Sequence, residues 1–196
     1  LISICGQLNS IILTNPIFGF VIQNGFLNET SICNALTDIY AKNGDILMAR
    51  SVFDSLMYKD TVSWSIMIHG YGLNGYGYQA FALLSEMENS GLKPDHITYL
   101  NLLSACNQSG LSEQSKIIFN SMIESGMKPK MEQYACLVDL FVRKGDLHEE
   151  YDVIRKTSGG TAVSILESRL GACSVYGKGE MGVKVEELLI PKDTES

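Results

Sequence analysis

Along residues 61–95, TVSWSIMIHGYGLNGYGYQAFALLSEMENSGLKPD, the apolar positions follow the period of two short helices joined by a tight turn. The first is predicted from about Ser63 to Leu73. It stops at Asn74-Gly75, two residues that tolerate the left-handed backbone of a helix end. The second is predicted from near Tyr78. Its Ala80, Leu83, Leu84 and Met87 recur at i, i+3, i+4 and i+7, which sets four apolar groups on one face. Gly91 ends it, and Lys93-Pro94-Asp95 turns the chain back because proline cannot continue a helix.

The unit returns along the chain. Its turn glycine is found as Gly44, Gly75, Gly110, Gly145 and Gly177, at separations of 31, 35, 35 and 32 residues, with Asn9 in the same role 35 residues before Gly44. Apolar quartets keep pace: Thr14, Ile17, Phe18, Val21; Ala49, Val52, Phe53, Leu56; Ala80, Leu83, Leu84, Met87; Ser115, Ile118, Phe119, Met122. Copies beginning at Glu150 and Gly182 hold the phase and lose part of the apolar pattern. A single helix pair cannot bury such a face alone, so the units must stack, and the fold expected is an all-α solenoid.

These residues carry a resemblance. Within 61–95 it rests on VSW at 62–64, the turn glycine, Ala80, Met87 and GLKPD at 91–95. The chain resembles a plant pentatricopeptide repeat protein of the PLS class, which mixes standard repeats with long and short variants. NALTDIYAKNGDILMARSVFDSLMYKD (34–60) is similar to the short variant and HITYLNLLSACNQSGLSEQSKIIFNSM (96–122) to the long one. YACLVDLFVRKGDLHE (134–149) is similar to the short repeat that ends such arrays, and ESRLGACSVYGKGEMG (167–182) to the family's C-terminal E motif. The resemblance implies a right-handed α-solenoid of stacked helix-turn-helix repeats over residues 1–162. The array divides into a partial long repeat (1–29), a short one (30–60), a standard one (61–95), a long one (96–130) and a short one (131–162). Residues 163–196 would be a degenerate E-like motif with a polar tail, since Leu166 stands where the family has Trp and Ala162 where it has Asp.

Composition narrows the picture. With 196 residues and 45% apolar content, the chain could form one ordinary domain or about five to six repeat units. The first residue, Leu1, falls inside a first helix by this register, so the sequence is expected to be a fragment or truncated product with any targeting peptide upstream. No charged residue occurs from Leu1 to Asn28, which raises a membrane span. Gln7, Asn9, Asn15, Gln23 and Asn24 interrupt that run, and hydrocarbon would not satisfy them, so a buried repeat is the better reading. A formal net charge of −7, from 15 Lys and Arg against 22 Asp and Glu, argues against strong nonspecific nucleic-acid binding. It leaves base-by-base reading in a groove open. Of five cysteines, Cys5, Cys106 and Cys173 share one repeat position, and no CxxC occurs, which fits reduced thiols packed in first helices.

The family reads single-stranded RNA one base per repeat, through the fifth residue of each first helix and the last residue of the repeat. The resemblance therefore pairs Asn34 with Asp60 as a uracil reader and Ser65 with Asp95 as a guanine reader, implying a 5′-UG-3′ target element. Val62 and Ile97 take the second position, where apolar side chains sandwich the base. Leu100 with Lys130 matches no clear code, and Ala135 offers no polar group. Two of these residues have local structural readings as well, Asn34 as a helix cap and Asp95 as a turn or N-cap residue. Trp64, which follows an interior-facing Val62-Ser63 start, is expected in the core. Ala49, Ala80 and Ser115 mark close helix contacts. Pro16 should kink or shorten its helix, and Glu150 is a costly replacement for a small residue.

No enzyme is expected. A zinc deaminase of the kind found on related proteins needs H-x-E followed by P-C-x-x-C, and His148-Glu149-Glu150 has no such sequel. His69 and His96 lack ligand-spaced partners and are expected at the surface or in packing. Gly70, Gly72, Gly75 and Gly77 are assigned to the helix turn rather than to a phosphate loop. No cofactor or metal is expected. The reading is thus an RNA-binding module of an organellar C-to-U editing specificity factor, in mitochondrion or chloroplast. Its partners would be single-stranded RNA and a deaminase or accessory protein met through the E-like end. The alternatives are a protein-interaction scaffold and a truncated copy without function.

Overall fold

The computed structural model describes residues 11–26 and 29–144. These form α1 (Ile11–Gln23), α2 (Thr30–Lys42), α3 (Ile46–Ser55), α4 (Thr61–Leu73), α5 (Gly77–Asn89), α6 (His96–Ser109), α7 (Ser112–Glu124) and α8 (Met131–Lys144), and no strand occurs among the described residues. The chain divides into two compact units, residues 1–128 and 129–196, so α1–α7 belong to the first and α8 to the second. The readings placed on the first helix of the first repeat, on Glu150, on His148-Glu149-Glu150 and on the E-like end fall outside the described residues.

Aspartates start three of the helices, and glycines turn the chain after the first helix of each pair. Asp45, Asp60 and Asp95 each accept a hydrogen bond from the backbone N–H three residues on, of Met48 at 3.1 Å and of Ser63 and Thr98 at 2.8 Å. Each cap satisfies a donor that the helix itself leaves unpaired. Ser63 reciprocates toward the Asp60 backbone, so α4 begins at Thr61, two residues earlier than apolar spacing alone suggests. The turn glycines Gly44, Gly75 and Gly110 have φ of 83°, 78° and 69°, the left-handed geometry that the repeat register requires of them.

In the first unit the first helices stack directly: α2 packs on α4 and α4 on α6. Each also pairs with its own second helix, and α3 and α5 reach forward to α4 and α6. The apolar quartets make this core. Ala49, Val52, Phe53 and Leu56 are all buried, as are Ala80, Leu83, Leu84 and Met87, and Ser115, Ile118, Phe119 and Met122. Phe18 of α1 meets the Tyr40 ring edge-on at 6.3 Å, and Trp64 meets Phe53 edge-on at 5.0 Å, which places the indole in the core as expected. Cys33 and Cys106 are buried and not in a disulfide, and burial pushes the Cys106 thiol up to about 11, although a bond to Ser115 opposes it.

Four expectations need correction. Val62 is not interior-facing but 58% exposed, because only Ser63 and Trp64 of that start turn inward. Asn34 is not a helix cap; it lies inside α2 and is buried. Pro16 does not cut its helix short, since α1 runs through it to Gln23. Gly70 and Gly72 are not turn residues. They lie within α4, where a Cβ would come to 2.7 Å from Ala41 on one side and 2.9 Å from Ala105 on the other. Those approaches are what let α2 and α6 close on α4 from both sides.

Candidate nucleic-acid interface

Because α2, α4 and α6 lie side by side, equivalent positions on them open onto equivalent clefts. Between α2 and α4, one cleft is lined by Ser31, Asn34, Ala35, Asp38, Asp60, Val62 and Ile66. Between α4 and α6, the next is lined by Val62, Ser65, Ile66, His69, Asp95, Ile97 and Asn101. Val62 and Ile66 belong to both, so one apolar wall separates the two. Val62 and Ile97, 58% and 62% exposed, stand on either side of the second cleft. Such side chains favour a flat apolar surface between them over bulk water.

The polar floor of each cleft is rigidly wired. In the first, Asp60 Oδ1 accepts from the Ser63 amide and from the Ser63 hydroxyl, both at 2.8 Å, and the carboxylate also bonds the Asn34 side chain. Burial alone would raise the Asp60 carboxyl; the bonds from Ser63 and Asn34 outweigh it and hold the group below the usual carboxylate range. A carboxylate accepts only, so the Asn34 amide nitrogen is the donor, and Asn34 Oδ1 is left buried without a partner. In the second cleft, Asp95 Oδ1 accepts from the Thr98 amide and hydroxyl, both at 2.8 Å, and Thr98 Oγ1 in turn lies 2.8 Å from Ser65 Oγ. Asn101 donates to the Ser65 carbonyl at 3.1 Å.

Both clefts therefore present acceptors between apolar walls, an arrangement suited to a planar ring carrying N–H donors. Acidic residues in each floor disfavour phosphate there. Six of the nine residues singled out from sequence are gathered this way: Asn34, Asp60, Val62, Ser65, Asp95 and Ile97. Neither cleft includes the other three. Leu100 is half-buried on α6 in the first unit, while Lys130 is exposed and Ala135 half-buried in the second. Sequence reasoning missed Ile66, His69 and Asn101, although each lies one helical turn beyond a residue it did choose, Val62, Ser65 and Ile97.

Residues 59–108 match the PPR repeat family, and residues 31–60 and 97–127 match the PPR repeat. The chain belongs to the pentatricopeptide repeat family. Among its relatives in Arabidopsis thaliana, the chloroplastic pentatricopeptide repeat-containing protein DOT4 is 35% identical over 193 residues, spanning 98% of this chain and 22% of that protein. A mitochondrial pentatricopeptide repeat-containing protein of the same plant is 34% identical over 190 residues, spanning 96% of this chain and 25% of that one. The chain thus spans about a quarter of the length of the curated relatives it matches. Solved structures share the helical repeat solenoid. Maize PPR10 in complex with an 18-nt psaJ RNA element superposes with a TM-score of 0.66 at 22% identity, over 83% of this chain and 24% of that one. The PPR domain of Arabidopsis PRORP1 in complex with tRNA gives 0.65 at 13% identity, over 85% and 93%.

Among the described residues of this repeat protein, no cluster of three or more His, Cys, Asp or Glu could hold a metal ion, and no helix is long and apolar enough to cross a membrane.

Proposed function

We propose that this chain is a base-reading segment of a single-stranded RNA-binding protein, in which each cleft between successive first helices takes one nucleobase. The observation that carries this reading is the pair of equivalent clefts one repeat apart, sharing the Val62 and Ile66 wall. Extruded bases offer a π-face to apolar side chains and a Watson–Crick edge to buried polar atoms, and these clefts supply both. The RNA-bound states of maize PPR10 and of the PRORP1 domain support it by likeness of fold.

The finer reading follows the family pattern. Asn34 with Asp60 takes uracil, Ser65 with Asp95 takes guanine, and Leu100 with Lys130 and Ala135 contribute little discrimination. The whole protein is a PLS-class editing factor of mitochondrion or chloroplast, a reading in keeping with the organellar names of its relatives. Its repeat array covers residues 1–162, and an E-like end, 163–196, recruits a deaminase supplied by another chain. A gel-shift titration of the full chain against RNAs that differ only in a UG element tests the site. Asn34→Ala with Ser65→Ala should weaken binding to the UG-bearing RNA by at least about fivefold, the lower end for loss of a base-directed polar contact pair. Unchanged affinity in the folded double variant would refute the assignment.

A further inference from the structure

We propose that Thr98, which lines neither cleft, is a positioning residue that fixes Ser65 as a hydrogen-bond acceptor and thereby selects a base with two adjacent donors. The proposal rests on the RNA-reading function above and on proton accounting. An ionised carboxylate only accepts, so the Thr98 hydroxyl, 2.8 Å from Asp95 Oδ1, spends its single proton on Asp95. Thr98 Oγ1 is fully buried and lies 2.8 Å from Ser65 Oγ. With the Thr98 proton committed, Ser65 must be the donor in that contact. The Ser65 proton then points away from the cleft, and only its lone pairs face a ligand.

Asp95 completes the pattern. Its Oδ1 carries both bonds from Thr98, and Oδ2 has no partner among the described residues. The cleft floor therefore offers two acceptors and no hydroxyl donor. On the Watson–Crick edge, guanine alone sets two donors side by side, N1–H and the exocyclic N2 amine. Adenine sets its N6 amine beside the acceptor N1, and that acceptor would face another acceptor, leaving a desolvated lone pair unpaired. The neighbouring cleft is wired differently, because Asn34 bonds Asp60 directly and the Ser63 hydroxyl turns to the Asp60 carboxylate and backbone.

The test is the ratio of affinities of the full chain for RNAs that carry G or A at one position, read by fluorescence anisotropy. Wild type should prefer G by at least about fivefold. Thr98→Val keeps the side-chain shape and the backbone N–H that caps onto Asp95, but frees the Ser65 proton to turn into the cleft. Its G-to-A ratio should fall to within about twofold of unity, and Thr98→Ser should restore the wild-type ratio. Thr98→Ala serves in place of valine should the methyl group strain the site. A folded Thr98→Val or Thr98→Ala chain that keeps the wild-type ratio overturns the proposal, as does an equal loss of affinity for both RNAs. A wild type that binds RNA without preferring G also overturns it, whereas a wild type that binds neither RNA removes the RNA-reading function itself.

Discussion

Asp60 holds three polar groups of its surroundings at once, the Ser63 amide, the Ser63 hydroxyl and the Asn34 amide. It is both the N-cap of α4 and part of a candidate base site, and the sequence reading saw only the second role here while assigning a cap to its equivalent Asp95. The reason is local: Asp95 follows the Lys93-Pro94 turn that announces a helix start, whereas Asp60 follows Tyr58-Lys59 and carries no such signal. Asp60→Ala should cost about 1 kcal/mol at pH 7, a typical value for a lost N-cap. The folded carboxyl titrates below its unfolded value near pH 4, so its stabilisation is complete above that value and lost as pH falls through the lower, folded one. Thermal melts of wild type and variant should converge below about pH 4. A difference that stays constant from pH 7 to pH 3 would show that the charge of Asp60 is irrelevant to the cap.

At the scale of helices, α4 is the element on which the first unit turns, since it is packed by α2 and α6 on opposite sides. Gly72 shows what this requires. A Cβ there would lie 2.9 Å from the Ala105 Cβ and 3.1 Å from its Cα, and backbone cannot step aside as a flexible side chain can. Gly72→Ala gains about 1 kcal/mol in helix propensity yet faces a clash of about 1–3 kcal/mol, so a net loss of stability is expected in denaturant titration. An equal or higher midpoint would mean that α6 is free to shift. Asn74 fastens the same helix to its neighbour, donating to Ala41 O at 2.9 Å in α2 and to Gly70 O at 2.8 Å. Asn74→Ala should destabilise by about 1 kcal/mol, with hydrogen exchange rising in the last turns of both α2 and α4; protection lost in α4 alone would deny the inter-helix role. Much of this architecture was legible from residues. Gly44, Gly75 and Gly110 announced the turns and the quartets announced the buried faces, because both depend on local conformation and period. Gly70 and Gly72 were misread, because a glycine required by a neighbour's backbone looks the same in sequence as one required by its own φ. The cleft residues Ile66, His69 and Asn101 escaped for a related reason, since a reading confined to the second, fifth and last positions omits the next turn of the same face.

For the molecule as a whole, charge decides how RNA would be held. The net charge is −7, and the clefts add Asp38, Asp60 and Asp95 to the surface a base would approach. Several cations are already engaged: Lys42 with Asp38 at 2.6 Å, Arg50 with Asp54 at 2.9 Å and Glu86 at 3.1 Å, Lys116 with Glu113 at 3.3 Å. A surface of this kind releases few counterions from a nucleic acid, so affinity must come from base contacts rather than from phosphate neutralisation. Single-strand binding loses about 0.7 in log–log slope per phosphate neutralised, and a two-base footprint engages on the order of two or three phosphates. The slope of log affinity against log salt should then lie near −2, with a fall of about tenfold between 50 and 200 mM salt. The UG preference should persist over that range, because apolar walls and buried hydrogen bonds are screened far less than exposed charges. Anisotropy titrations at four salt concentrations measure both quantities. A slope of about −5 or steeper, with UG preference vanishing as affinity falls, would locate binding in a cationic surface elsewhere and empty the two clefts of their proposed role.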